Sequence, residues 1–104
     1  IKKDPSHYYA RYNLASILQD ERAYDQSLIE FVRTTQEVIK SEKLSILSKD
    51  KLIGCICFHE GEIYHRLNKY DEAKEKLFQC VRIYSGHNKA KKYLSMIDKD
   101  KYGK

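Results

Sequence analysis

Apolar side chains recur along this chain every three or four residues, which is the spacing of an amphipathic α-helix. No segment sustains the alternation of apolar and polar residues that a half-buried strand requires. The pattern therefore predicts an all-α protein. Each apolar stripe marks one predicted helix, and the stripes run over residues 8–18, 28–39, 52–67, 73–84 and 90–97.

Short polar segments separate the predicted helices, so neighbouring helices should pack antiparallel as hairpins. The breaks fall at QDERAYD, RLNKYD and SGHN, with a weaker break inside IKSEKLSILSKD. Asp25 and Asp71 are placed to cap the helices that follow them, because a short side-chain oxygen accepts hydrogen bonds from free first-turn amides. Gly86 suits the left-handed residue that often ends a helix.

One short phrase occurs twice in the chain. RAYDQSLIEF begins at Arg22 and NKYDEAKEKL begins at Asn68, and in both a Tyr-Asp pair precedes a small residue and then a large apolar one. Together with Ala15 and Gly61 in the preceding helices, these phrases resemble the tetratricopeptide repeat family, a helix–turn–helix unit of 34 residues. The chain departs from the family pattern at Glu60, where the family has leucine.

The resemblance implies a definite packing within each hairpin. Small residues should lie where the two helices approach most closely, which pairs Ala15 with Ser27 and Gly61 with Ala73. It also implies the overall fold: antiparallel helix hairpins stacked as a short right-handed superhelix, with two repeats and a C-terminal capping helix.

The spacing of the two phrases predicts an unusual connection. Tyr70 follows Tyr24 by 46 residues, which is twelve more than the family period. Because the apolar stripe continues through the interval, we expect longer helices that form a projecting hairpin. Within a single domain of residues 1–104, we predict a tail of a preceding repeat or linker (1–7), a first repeat with an extended second helix (8–43), a second repeat with an extended first helix (44–86), and a capping helix with a basic tail (87–104).

Two features indicate a C-terminal fragment of a longer repeat protein. The chain starts at Ile1 rather than at methionine, and Pro5 falls where the family often has a proline, near the end of a preceding repeat. The number of repeats upstream and the oligomeric state stay open.

Composition narrows the class of protein. Hydrophobic residues make up 41% and charged residues 34%, the net charge is +5, and the longest apolar run, LIGCICF, is too short to span a bilayer. Three cysteines, an odd number, favour free thiols in a reducing compartment. We therefore expect a cytoplasmic protein without membrane insertion, although the parent protein could be tethered to a membrane. RNA binding through the lysine-rich last helix is an alternative, but a capping helix with a charged outer face also accounts for these lysines.

No residue constellation in the chain predicts catalysis. There is no glycine-rich phosphate loop, and the four histidines are scattered. Cys55, His59 and Glu62 share one helical face and are legitimate zinc ligands, but a straight helix rarely supplies three ligands to one tetrahedral ion. We expect a non-enzymatic protein with no cofactor and no metal.

The family resemblance implies a binding surface for a protein or peptide partner. In that family, the first helices of the repeats line a concave groove. A carboxylate-clamping variant of the family is not expected, because only Lys89 matches one of its five clamp residues. Two functions are open: a groove that binds a partner segment, or a structural cap of a longer solenoid without its own ligand. The implied partner-binding residues are Tyr9, Tyr12, Asn13, Ser16, Phe58, His59, Glu62, His65, Arg66, Lys89, Lys92 and Tyr93.

Overall fold

A computed structural model of the protein describes the backbone of residues 6–102 and the side chains of residues 7–97. Most of the predicted N-terminal tail, with Pro5, and the side chains of the predicted basic tail lie outside the described residues. All the regular structure within 6–102 is α-helical, as the apolar spacing predicted. The five helices are α1 (Ser6–Asp20), α2 (Tyr24–Lys40), α3 (Ile46–Arg66), α4 (Tyr70–Ile83) and α5 (Asn88–Tyr102).

The chain divides into two compact units, residues 1–49 and 50–104. In the first unit α1 packs against α2. Ser27 Oγ donates a hydrogen bond of 2.7 Å to the carbonyl oxygen of Ala15, so the two small residues lie at the closest approach of the helices, as expected. The ring of Tyr12 meets the buried ring of Phe31 edge to face, with centroids 5.9 Å apart.

The second unit repeats this packing with different side chains. A Cβ atom added to Gly61 would lie 2.7 Å from Leu77 Cγ and 3.3 Å from the carbonyl oxygen of Ala73. Helices α3 and α4 therefore approach each other closely at Gly61 and Ala73. Helix α5 packs against α4, and the core shared by α3, α4 and α5 comprises Cys57, Ala73, Leu77, Cys80, Ala90 and Ile97.

The two turns inside the hairpins have the same backbone conformation. Arg22 and Asn68 both adopt left-handed φ angles, 64° and 63°. In each turn the left-handed residue donates its amide hydrogen to the carbonyl oxygen three residues earlier. The next residue donates to the carbonyl oxygen five residues before it, and this pair of hydrogen bonds is a common helix ending. The hydrogen bonds run from Arg22 to Gln19 (2.9 Å), Ala23 to Leu18 (2.8 Å), Asn68 to His65 (3.0 Å) and Lys69 to Tyr64 (2.9 Å).

Two predictions about helix ends are wrong. Asp25 and Asp71 lie inside the first turns of α2 and α4, whose N-caps are Ala23 and Lys69 without a side-chain hydrogen bond. The acids still favour these helix starts, because a negative charge offsets the positive end of the helix dipole. Gly86 does not have a positive φ; the left-handed positions belong to Arg22 and Asn68.

The long connection between α2 and α3 is only partly helical. Helix α3 has 21 residues against 15 in α1, and α2 has 17 against 14 in α4. Residues 41–45 between α2 and α3 form an ordered turn rather than a helix. Ser41 Oγ accepts from the amides of Lys43 and Leu44, and Ser45 Oγ caps α3 by accepting from the amide of Ser48 at 3.1 Å.

Candidate functional site

In the first unit, the predicted partner-binding residues lie on one face of α1. Tyr9 and Asn13 are exposed, and Ser16 is half-buried. Tyr12 is also half-buried, because its ring packs onto Phe31. Tyr12 therefore contributes to the core of this hairpin as well as to its surface.

In the second unit, α3 and α5 bring their predicted residues together. His65 Nδ1 lies 2.8 Å from the Tyr93 hydroxyl oxygen, and the two rings meet at 88° with centroids 5.3 Å apart. Phe58, two turns earlier on α3, meets the same tyrosine edge to face at 5.8 Å. The Tyr93 ring thus joins the two helices along one surface.

This surface contains two adjacent depressions, which we call the α3–α5 groove. The larger one, of about 480 Å³, is mostly polar and opens beside His65 and Arg66. The smaller one, of about 250 Å³, is lined by Lys89, Lys92 and three apolar side chains, Phe58, Tyr93 and Met96, which we call its floor. Tyr93 and Met96 line both, so the depressions are continuous. The groove residues are Phe58, Glu62, His65, Arg66, Asn68, Tyr70, Lys89, Lys92, Tyr93 and Met96.

The charges of the groove are unevenly compensated. Arg66, Lys89 and Lys92 are exposed cations, and within the described side chains none of the three forms an ion pair. Glu62 is the acidic member, and its Oε1 lies 3.3 Å from His59 Nδ1. His59 was predicted as a groove residue; it lies at the edge, against Glu62 and the Phe58 ring. The groove therefore carries an excess of positive charge.

His87 holds one end of the groove and was missed by the sequence prediction. Its ring packs on Phe58 with centroids 4.7 Å apart, and its Nδ1 accepts a hydrogen bond of 3.2 Å from the amide of Ala90. This bond caps the start of α5, the helix that carries Lys89 and Lys92. Burial lowers the pKa of His87, which favours the neutral ring that can accept this bond. Its position just before a predicted helix, in SGHN, was the available signal.

Away from the groove, a buried polar cluster lies between α3 and α4. Glu60, 4% exposed, meets Lys76 Nζ at 3.6 Å, and the Cys57 sulfur lies 3.8 Å from Gln79 Oε1. Burial raises the pKa of Cys57 to about 11 and that of Cys80 to about 12, so neither thiol is an activated nucleophile at neutral pH. This cluster supports packing rather than chemistry.

The alternative zinc ligands do not form a metal site. His59 and Glu62 are neighbours on α3, but the side chains of residues 7–97 contain no group of three His, Cys, Asp or Glu residues placed to hold a metal ion. A search of the described helices also finds none that is long and apolar enough to cross a membrane.

Comparison with known proteins adds no relative. No protein-family model matches the chain, and no curated protein or solved structure matches it either.

Proposed function

We propose that the chain is a protein-interaction module of the tetratricopeptide repeat type, which binds a segment of a partner protein along the α3–α5 groove. The observation that carries the proposal is the convergence of Phe58, His65 and Tyr93 into one continuous surface between two helices. In the repeat family that the sequence resembles, helices in the places of α3 and α5 line the peptide groove. The matching turns at Arg22 and Asn68 support the same relationship.

The chemistry of the groove suits a peptide better than a small substrate. Aromatic and thioether side chains form its floor, while amide, imidazole and basic groups surround them, which is the mixture typical of protein interfaces. Cys57 and Cys80 lie outside the groove, and their raised pKa values keep both thiols protonated at neutral pH.

Selection from a random peptide library displayed on phage tests this function. We expect enriched peptides that bind the purified chain and lose binding to Met96→Glu, because a charged side chain would then occupy the floor of both depressions. Lys91→Glu is the control: Lys91 is exposed on the opposite face of α5, lines neither depression and should leave binding unchanged. If every enriched peptide binds Met96→Glu as well as it binds the parent, the groove is not the binding surface.

A structural role is the second candidate, and one observation favours it. Leu14 and Ile17 lie on one face of α1 and are 47% and 53% exposed, which leaves apolar surface open to another helix. In this role the chain would cap a larger helical assembly. Replacing both residues with glutamate would then break the assembly, whereas Met96→Glu would leave it intact. Size-exclusion chromatography of cell extracts would measure the difference.

A further inference from the structure

We propose that the α3–α5 groove selects an internal acidic segment that carries one large apolar side chain, with that side chain on Phe58 and its flanking carboxylates on Lys89 and Lys92. This inference rests on the proposed function and specifies the partner. Three features of the groove support it: the apolar depression, the cations beside it, and the way in which its floor is held.

The smaller depression has the size and chemistry of a pocket for one apolar side chain. Phe58, Tyr93 and Met96 surround a volume of about 250 Å³. Met96 is 42% exposed, and its flexible thioether can adapt to an aliphatic or aromatic partner. Covering this surface removes apolar area from water, which provides the favourable term for an otherwise polar peptide.

Two lysines complete the wall of this depression. Lys89 and Lys92 are three residues apart on α5 and so lie on the same face of the helix. Both are exposed, and among the described side chains neither has a carboxylate partner. Arg66 lies in the adjoining depression. Acidic residues on both sides of the anchor would meet these cations, whereas a basic segment would be repelled.

The arrangement favours a peptide over a nucleic acid. Strands of RNA are held by aromatic rings whose faces are free to stack on bases. The Phe58 ring is instead packed against His87 at 4.7 Å and Tyr93 at 5.8 Å, which leaves it as part of a fixed apolar floor. Within the described side chains, residues 7–97, the groove cations also flank an apolar depression rather than follow a continuous basic track.

The arrangement likewise favours an internal segment over a chain terminus. A terminal carboxylate is held by several donors that converge on one point. Here Lys89 and Lys92 line one depression, whereas Arg66 lines the other. Separate side-chain carboxylates match this spread of charge.

Fluorescence polarisation with a defined peptide tests the inference. The probe is a labelled peptide, blocked at both ends, with one phenylalanine between two pairs of glutamates in a Gly/Ser background. We expect saturable binding that weakens with added salt, and a loss of roughly tenfold or more when the glutamates become glutamines or the phenylalanine becomes glycine. The same peptide with lysines in place of the glutamates should not bind.

Paired variants of the chain place this binding in the groove. The double variant Lys89→Glu, Lys92→Glu should weaken binding by roughly tenfold or more, because two attractive charges become repulsive. Lys91→Glu is the matched control, since Lys91 is exposed on the opposite face of the same helix. Circular dichroism melts of all three proteins check that each is folded, and a peptide with the charges reversed should regain affinity for the double variant.

Three results would overturn the inference. The glutamine peptide could bind as well as the glutamate peptide; Lys91→Glu could weaken binding as much as the double variant does; or a single-stranded RNA could bind more tightly and displace the peptide. Library selection separates this failure from that of the proposed function. Enriched peptides without acidic residues that are still lost with Met96→Glu refute only the inference, whereas peptides indifferent to Met96→Glu refute both.

Discussion

Arg22 and Asn68 adopt the same left-handed backbone conformation at equivalent places in two turns, with φ angles of 64° and 63°. Each is followed two residues later by the tyrosine that begins the next helix. The same pair of backbone hydrogen bonds closes the helix before each turn. The repeated phrase in the sequence is therefore matched by a repeated conformation, although only one of the two residues is a type that tolerates it well.

Arg22→Gly should stabilise the protein. A left-handed conformation costs a non-glycine L-residue about 1–2 kcal/mol. Glycine removes that cost but adds disorder to the unfolded chain, so we expect a net gain of about 0.5–1 kcal/mol in the free energy of unfolding. Urea denaturation measures it.

Two further glycine changes test the cause of this gain. Asn68→Gly should gain less than Arg22→Gly, because asparagine enters the left-handed region more readily. Gly86→Ala should be tolerated, since Gly86 has no positive φ and a Cβ there would lie 3.4 Å from Tyr84 Cε1. A loss of stability in Arg22→Gly would show that its side chain contributes more than its backbone costs.

The helices and the hairpin turns followed from the sequence because both depend on local patterns. Apolar spacing specifies a helix face, and the Tyr-Asp phrases mark where α2 and α4 begin. The left-handed residues could not be assigned in this way. Glycine is the residue that the conformation favours, so Gly86 was the natural choice. In the structure Gly86 has no positive φ, whereas Arg22 and Asn68, in the turns after α1 and α3, are left-handed.

Burial was harder to predict than secondary structure. Val32 and Ile39 belong to the predicted apolar stripe of α2 but are exposed, while Glu60 is almost fully buried. An apolar stripe gives the direction of a helix face, whereas the width that becomes buried depends on the neighbouring helix. The groove shows the same limit: the family resemblance supplied most of its α3 and α5 residues but not Met96, and His87 lies in the turn before α5, outside the helical pattern.

Gly61→Ala should destabilise the protein. The added Cβ would lie 2.7 Å from Leu77 Cγ, and the Ala73 carbonyl oxygen on the same side leaves the helices little room to shift. We expect a loss of about 1–3 kcal/mol, measured by urea denaturation, and at least as large a loss for Ala73→Leu at the same crossing. Gly86→Ala serves as the control for a glycine outside a helix crossing. A melting temperature equal to that of the parent would mean that α3 and α4 do not meet at this crossing.

The buried pair of Glu60 and Lys76 should respond asymmetrically to substitution. Lys76→Met leaves a buried carboxylate without its cation. The free energy of unfolding at pH 7 should fall by about 1–3 kcal/mol, less than for a fully buried pair, because Lys76 is partly exposed. Glu60→Leu removes the buried charge and should be neutral or stabilising. Lys91→Met, an exposed lysine on α5, is the control and should change little.

The same pair predicts a pH dependence. Burial raises the pKa of Glu60 above its ordinary value of 4.5, and Lys76 offsets only part of this rise. A folded-state pKa above the unfolded one favours the protonated carboxyl, so its stabilising contribution is complete below pH 4.5 and is lost as the pH rises through the raised pKa. Lys76→Met should steepen this dependence, and Glu60→Leu should abolish it. Unchanged pH profiles in both variants would contradict the assignment to Glu60.

His87 predicts a pH dependence of the opposite sign. Burial, with the ring against Phe58, lowers its pKa below 6.5, and a backbone hydrogen bond of His87 offsets part of this shift. The charges of His59 and Lys89 lower the pKa further, while Glu62 raises it. The unfolded chain therefore takes up this proton at a higher pH than the folded protein does. The contribution of His87 to stability is present above pH 6.5 and is lost as the pH falls through its folded-state pKa.

His87→Asn isolates this contribution, because asparagine can still cap α5 but does not titrate. We expect the variant to match the parent near pH 7.5 and to lose less stability on acidification, so that the difference between the two unfolding free energies grows as the pH falls below 6.5. Taking the difference cancels the effect of Glu60, which both proteins share. His87→Ala, which removes the cap at every pH, should be less stable than His87→Asn by about 1 kcal/mol throughout. If parent and His87→Asn lose stability in parallel, protonation of His87 does not release the cap of α5.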